Sequence, residues 1–387
     1  MEVDFHVFQG ASPRTGPVLW SRVLIRTRGR NPVEDTVSFS LPTRFRAHND
    51  CVAGCLATLC ARFEKIRFHF PTSARCRQLI AEAYDAQVTS DGPDIAPRLP
   101  GKRKAISFSG GFDSLAAHLL AGEQLQLISV DFGGAFVREA RFFSKFRPQI
   151  CRTNIRQRRW AIQDWRFMGA ASCLYAHHLD LGTLLFGGIF EASYWSFADG
   201  IANRDPRLSG PFGAAGLVSS SLVQGLTEFG TAMVVQAWAP QLLRESLAAL
   251  AAPGSEKAFR KQLLLDAVRH RFGGAAPEFS LYKYPRRRLR FGDAFTVDFL
   301  TLYFVSVYGR RTVARWIDDV PDVRLGDLDF VFKFNPLFVR NIPPELRVLA
   351  LNRMAAAGIG TYGEQDWKGF NAVKAILARH YPIAAHG

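Results

Sequence analysis

The chain lacks most of the short motifs that announce a chemistry. No G-x-x-x-x-G-K-[ST] run occurs, which excludes the ordinary kinase-type phosphate loop. There is no H-E-x-x-H zinc pair and no G-x-S-x-G nucleophile elbow, so zinc protease and serine hydrolase chemistry have no anchor; His177 and His178 follow an apolar helix and read as structural or solvent-facing. The six cysteines form no C-x-x-C. Cys51 and Cys55 would share a helix face, but Cys60 falls about half a turn out of phase with Cys51 at ~3.6 residues per turn, so the three cannot grip one ion from one helix. They are expected to be reduced and buried as small hydrophobes. No stretch reaches the ~20 apolar residues of a membrane helix, because the longest, residues 295–308, contains Asp298. The acidic start Met1-Glu2-Val3-Asp4 is unlike a secretory signal, so a soluble, cytoplasmic protein is expected, with no membrane partner.

What is present is a long chain with material for a core and an excess of positive charge. The 387 residues are 48% hydrophobic, enough for two domains or one large one with additions. The formal charge is +15, with arginines gathered at Arg152, Arg156, Arg158 and Arg159 and again at Arg286, Arg287, Arg288 and Arg290. Such clusters fit a nucleic-acid partner, a solvated face, or phosphate contacts inside a site, and charge alone does not choose.

The most informative stretch is residues 105–114, A-I-S-F-S-G-G-F-D-S, an apolar run broken by two glycines and followed by helix formers. That is strand, tight loop, helix. Gly110 and Gly111 let the backbone N–H groups approach a ligand, and the helix start adds the positive end of its dipole, so the turn favours an anion. Ser109 and Ser114 add hydroxyls. Asp113 is an acid in a place suited to negative charge, which makes sense with a divalent cation between it and a phosphate.

Ser109-Gly110-Gly111-Phe112-Asp113-Ser114 resembles the S-G-G-x-D-S loop of the PP-loop ATP pyrophosphatases, a superfamily that includes GMP synthetase, asparagine synthetase, 7-cyano-7-deazaguanine synthase and tRNA thiolation enzymes. The likeness covers residues 105–191, sharp at the loop and vague by the fourth strand. It implies cleavage of ATP between the α and β phosphates, with AMP passing to a small-molecule acceptor and pyrophosphate leaving. It also implies ATP and Mg²⁺ as ligands, Ser109 and Asp113 as catalytic groups with Asp113 on the metal, and Ser109 to Ser114 around the phosphates. Phe132 would flank the base and Asp131 the ribose or metal, though an Asp closing a strand also caps turns. Gly187 and Gly188 would line the cleft, and Glu191 resembles an acid found near that position. A late Lys or Arg on the phosphates is expected from Lys283, Arg286 or Lys333. A tRNA-modifying enzyme of the same superfamily and a non-catalytic ATP-binding module are the alternatives; thiolation would need a reactive thiol such as Cys151 or Cys173.

In chain order, residues 1–99 read as a small α+β domain of unassigned role: strands near 3–8, 19–27 and 36–41, a helix from Asn49 or Asp50 to about 63, a strand 65–70 and a helix 73–85. A Pro- and Gly-rich linker, 90–103, follows. Residues 100–240 alternate strand and helix and are expected to form a parallel five-stranded sheet with helices on both faces, of the PP-loop type. The fourth strand is placed at 182–186, a helix at 214–228, and the fifth strand at 232–238. Residues 196–211, polar and rich in turns, are expected to cover the site as a mobile loop. Residues 241–387 read as a mostly helical part packed on the ATP domain.

Overall fold

The computed structural model describes residues 1–12, 16–122, 125–198, 210–274 and 284–383. Lys283, one of the expected late lysines, and residues 199–209 of the expected covering loop lie outside the described residues. The chain divides into two compact units that interleave in sequence: Met1–Ser109, Gln124–Phe186 and Pro206–Ser220 form the first, and Gly110–Glu123, Gly187–Asp205 and Ser221–Gly387 the second. This differs from the division at 99 and 240. The reason is the core of the first unit: Val3, Phe5, Val23 and Phe39 of the N-terminal strands pack in one cluster with Cys51, Cys55 and Leu56 and with Ala105, Cys173 and Leu184 of the parallel sheet. Residues 1–99 therefore have no separate core.

The first sheet of this unit contains β1 (Glu2–Ser12), β2 (Gly16–Arg26), β3 (Val33–Ser40), β4 (Lys65–Phe68) and β5 (Gln87–Ser90), in the order β3-β2-β1-β4-β5. β5 falls where the linker was expected to begin. The helices α1 (Asn49–Ala57) and α2 (Ala74–Tyr84) accompany it. Ser73 caps α2 as its sequence implies, accepting from Cys76 N, whereas α1 is capped by the ring of His48. The polar residues of these strands pair across the sheet, Arg22 with Glu34 at 2.8 Å, Lys65 with Glu2 at 2.7 Å and Arg67 with Asp91 at 2.9 Å, so that charge here is a solvated ladder.

The second sheet contains β6 (Arg103–Ser107), β7 (Gln126–Asp131), β8 (Gln149–Arg152), β9 (Leu181–Phe186) and β10 (Val218–Ser221), with α4 (Val137–Phe143) between β7 and β8 and α5 (Ala170–Tyr175) between β8 and β9 in sequence. It is parallel throughout, in the order β10-β9-β6-β7-β8. The strand earliest in sequence is central and the order reverses between β6 and β9, the topological switch point at which doubly wound sheets bind ligands.

The fifth strand is a correction. Residues 232–238 are not a strand but the body of α7 (Glu228–Trp238), and the strand comes from 218–221, inside the expected helix 214–228, which α6 (Gly210–Ala214) and α7 meet only at its two ends. A short continuous apolar run has no periodicity to separate strand from buried helix. Here Thr227 decides, its hydroxyl accepting from the N–H groups of Phe229 and Gly230 and starting the helix.

In the second unit, helices dominate: α3 (Phe112–Ala121), α7, α8 (Leu243–Leu250) and α9 (Glu256–Arg271), then α10 (Phe295–Tyr308), α11 (Arg310–Val313), α12 (Pro344–Ala356) and α13 (Glu364–Leu377). Ser255 caps α9, its side chain accepting from Ala258 N. Among the described residues no helix is long and apolar enough to cross a membrane.

Candidate functional site

The glycine loop leaves the carboxyl end of β6 and becomes α3, with the division between the two units falling between Ser109 and Gly110. Gly110 has φ of 75°, a left-handed conformation that requires glycine here. Gly111 is the N-cap of α3 and so brings no capping side chain to the first turn. Two hydroxyls fix the turn from its carbonyl side: Ser246 of α8 donates to Gly110 O at 2.8 Å and Ser114 to Gly111 O at 3.2 Å. Gly187 completes it by close approach. A Cβ there would stand 2.6 Å from Ser114 N and 2.9 Å from Asp113 C, backbone atoms that cannot yield, whereas a Cβ on Gly188 would meet open space.

Asp113 sits in the first turn of α3, partly buried, where its Oδ1 accepts from Thr231 Oγ1 at 2.8 Å. Burial raises its pKa above the ordinary carboxylate value, against the pull of Lys261, the Thr231 hydrogen bond and Lys257. Beside it lies a buried charged cluster that sequence reasoning missed. Lys261 of α9 pairs with Glu228 of α7, the two side chains only 8% and 4% exposed, and its ammonium stands 5.1 Å from the centroid of the Phe112 ring. Arg260 approaches the other Glu228 oxygen at 3.6 Å and is itself held by Glu256 at 2.8 Å. Burial lowers the pKa of Lys261, offset by Asp113 and Glu191.

Glu191 is fully buried. Its Oε1 accepts from Glu228 N–H at 2.8 Å, and among the described residues its Oε2 has no hydrogen-bond partner. Burial pushes its pKa well above the carboxylate range, with neighbouring Asp113 acting in the same direction. The cluster thus places two buried cations, Lys261 and Arg260, among the acids Asp113 at the start of α3, Glu228 at the start of α7, Glu191 and Glu256.

Among the described residues no group of three or more His, Cys, Asp or Glu could hold a metal ion. A magnesium ion carried by phosphate oxygens and water needs only one or two carboxylates; the carboxylate available at this loop is Asp113, whose Oδ1 already accepts from Thr231.

No family model, curated protein or solved structure matches the chain.

The other expected site residues fall as follows. Asp131 ends β7 in an Asx turn, its carboxylate accepting from Gly133 N at 2.9 Å and facing Arg152 at 3.5 Å, the turn-capping role its position allowed. Phe132 is half-buried, its ring T-shaped against Phe136 and Phe167 and 5.4 Å from the Arg156 guanidinium. Ser109 is exposed. Lys333 is not a free phosphate ligand: it bridges Asp366 at 2.9 Å and Asp329 at 3.1 Å, and the lysines that act on Asp113 are Lys261 and Lys257. Arg286 is exposed.

The arginine clusters are largely committed within the fold. Arg156 packs among three phenylalanine rings, and Arg158 donates to Thr36 O at 3.0 Å and pairs with Asp35 at 3.2 Å. Arg288 and Arg290 pair with Asp318 and Asp319. All six cysteines are buried and unpaired, and burial raises the thiol of Cys51 to about 11 and that of Cys151 to about 12, so neither is poised as a nucleophile. His178 accepts from Arg46 N through Nδ1 at 3.3 Å, a structural role.

Lys261, Glu228 and Thr231 left faint sequence signals. Lys261 stands at the inward spacing of α9 among Phe259, Leu264 and Val268, where a lysine is out of place, and Glu228 follows a Thr cap.

Proposed function

We infer that the chain is a PP-loop type ATP pyrophosphatase that adenylates a small acceptor. The observation carrying this is the start of α3: a left-handed Gly110, a glycine N-cap, and a first-turn carboxylate held by Thr231 beside the buried Lys261. A helix start with glycine backbone favours an anion, and a carboxylate is tolerated against polyphosphate when a divalent cation lies between them. The strand order of the parallel sheet, with β6 at the switch point, is consistent with the same reading.

Bound magnesium would supply charge neutralisation at the phosphates, with Asp113 as its protein ligand. The chain's own groups do the rest. The loop N–H groups orient the polyphosphate tail, and the Ser246 and Ser114 bonds keep the loop carbonyls turned away so that those N–H groups face the ligand. Lys261, positioned by its pairing with Glu228, would place positive charge near the departing pyrophosphate, with Asp113 and Glu191 opposing the downward pull of burial on its pKa. An acceptor oxygen attacks the α phosphorus, the bond from that phosphorus to the bridging oxygen breaks, and pyrophosphate leaves with the electron pair. A nucleophile then displaces AMP. Each charge-assisted hydrogen bond to the leaving group contributes on the order of 1.5–3 kcal/mol.

The test is pyrophosphate release from ATP and Mg²⁺ in the presence of candidate acceptors, with adducts identified by mass spectrometry in a cell extract. AMP-linked product and pyrophosphate are expected, lost in Asp113→Ala. ADP and phosphate as products would refute the assignment.

A further inference from the structure

Within the first unit, the carboxyl ends of β6 and β9 carry an exposed aromatic shelf that the ATP loop does not account for. It is formed by a single turn, residues 165–169. Trp165 is 52% exposed and Met168 44%, high values for large apolar side chains in so aromatic a core. The turn is fixed to both strands at the switch point. Met168 O accepts from the hydroxyl of Ser107, the last residue of β6, at 3.0 Å. Trp165 stands perpendicular to Phe186, the last residue of β9, with ring centroids 5.1 Å apart, and tilts on Phe212 at 5.9 Å.

The turn is also pinned from below. A Cβ on Gly169 would lie 2.4 Å from the Phe212 ring and 3.0 Å from that of Phe186, so the backbone presses onto those rings, and Asp164 caps the turn by accepting from Arg166 N at 2.7 Å. The indole N–H of Trp165 donates to none of the described residues, and with the side chain half exposed it is open to an acceptor from outside the chain. Phe132, the ring first expected to stack on a base, is instead engaged by Phe136, Phe167 and Arg156. Trp165 is the rigid ring at this end of the sheet that keeps open surface and a spare donor.

We propose that Trp165, with Met168 beside it, is a binding shelf for a planar heteroaromatic ring that stacks on the indole and accepts a hydrogen bond from its N–H. The ring comes from one of two sources, the adenine of the nucleotide or the acceptor. The role of that ring in turnover rests on the adenylation reading; the shelf itself does not.

The experiment is isothermal titration of the full chain, wild type, Trp165→Ala and Trp165→Phe, with Mg-ATP, magnesium tripolyphosphate, adenine, hypoxanthine and guanosine. Loss of one base–aromatic stack is expected to weaken a ring-bearing probe about ten-fold or more in Trp165→Ala. Trp165→Phe retains most of the affinity, and tripolyphosphate is unaffected in both. Loss confined to Mg-ATP and adenine assigns the shelf to the nucleotide; loss for another base with Mg-ATP unchanged assigns it to the acceptor. Equal affinity of wild type and Trp165→Ala for every ring-bearing probe, or no ring-bearing probe bound by wild type, overturns the proposal. Failure of tripolyphosphate to bind wild type would instead refute the phosphate loop while leaving the ring measurements standing.

Discussion

Thr231 Oγ1 donates to Asp113 Oδ1 at 2.8 Å, joining the first turn of α3 to the first turn of α7 across 118 positions of sequence. The same hydroxyl lies 3.1 Å from Glu228 O, so it is held within its own helix. One carboxylate oxygen is thereby fixed in direction while the chain keeps the acid near the loop.

Replacing Thr231 by Val keeps the shape and removes that restraint. A hydrogen bond to a charged group is worth about 1.5–3 kcal/mol of stability, so the melting temperature is expected to fall, and Mg-ATP affinity is expected to fall with it because Asp113 loses its fixed direction. Asp113→Asn is expected to abolish the magnesium dependence altogether. Titration with ATP at several magnesium concentrations checks both; unchanged magnesium dependence in Asp113→Asn would remove Asp113 from the metal.

The buried Lys261–Glu228 pair predicts non-additive stability. Lys261→Met or Glu228→Gln alone removes a buried charge's nearest partner and is expected to cost up to about 3–5 kcal/mol, less where Arg260 still faces Glu228. The double variant restores neutrality and is expected to cost distinctly less than the sum. Urea denaturation of the four proteins measures the coupling, and additive losses would show that the pair does not act as one.

Gly187 and Gly188 are neighbours with opposite expectations. Gly187→Ala drives a methyl into the backbone of Asp113 and Ser114, so both stability and phosphate binding should fall. Gly188→Ala meets open space and is expected to stay within about 0.5 kcal/mol of wild type. Melting temperatures alongside tripolyphosphate binding separate them; a harmless Gly187→Ala would mean the approach to α3 is looser than described.

Glu191 makes a pH-dependent contribution whose sign follows from its raised pKa. The folded chain holds this proton more tightly than the unfolded chain does. The stability it confers is therefore complete below the ordinary glutamate range, about 4.3, and is lost as pH rises through the folded value. Glu191→Gln, neutral at every pH, should lack that decline, so wild type loses stability relative to the variant as pH increases. Denaturation midpoints from pH 5 to 8 test this, and parallel curves would show that the folded carboxyl is not raised.

Some of these features were legible in the sequence and others were not. The strand–loop–helix at 105–121 could be placed because glycine pairs and an acid after an apolar strand leave few local alternatives. The start of the helix at Ser73 could be placed because capping is decided within three or four residues. The 218–221 strand could not be separated from helix by pattern, nor could 232–238, because a fully buried element shows no contrast between its faces. Lys333 and Lys261 are both lysines near apolar residues; only their partners distinguish a clamp on Asp366 from a charge beside the loop.

By itself the sequence determined local conformations: the strand–loop–helix around Gly110 and Gly111, the start of α2 at Ser73 and the fourth strand at 182–186. These depend on steric limits and hydrogen bonds within a few residues of one another. Tertiary structure alone decided that residues 1–99 share a core with the parallel sheet, that Thr231 holds Asp113, that Lys261 lies beside Phe112, and that Trp165 stands over the end of β9. Those relationships join positions tens to more than a hundred residues apart, and packing and desolvation, which fix them, act between surfaces that local sequence does not specify.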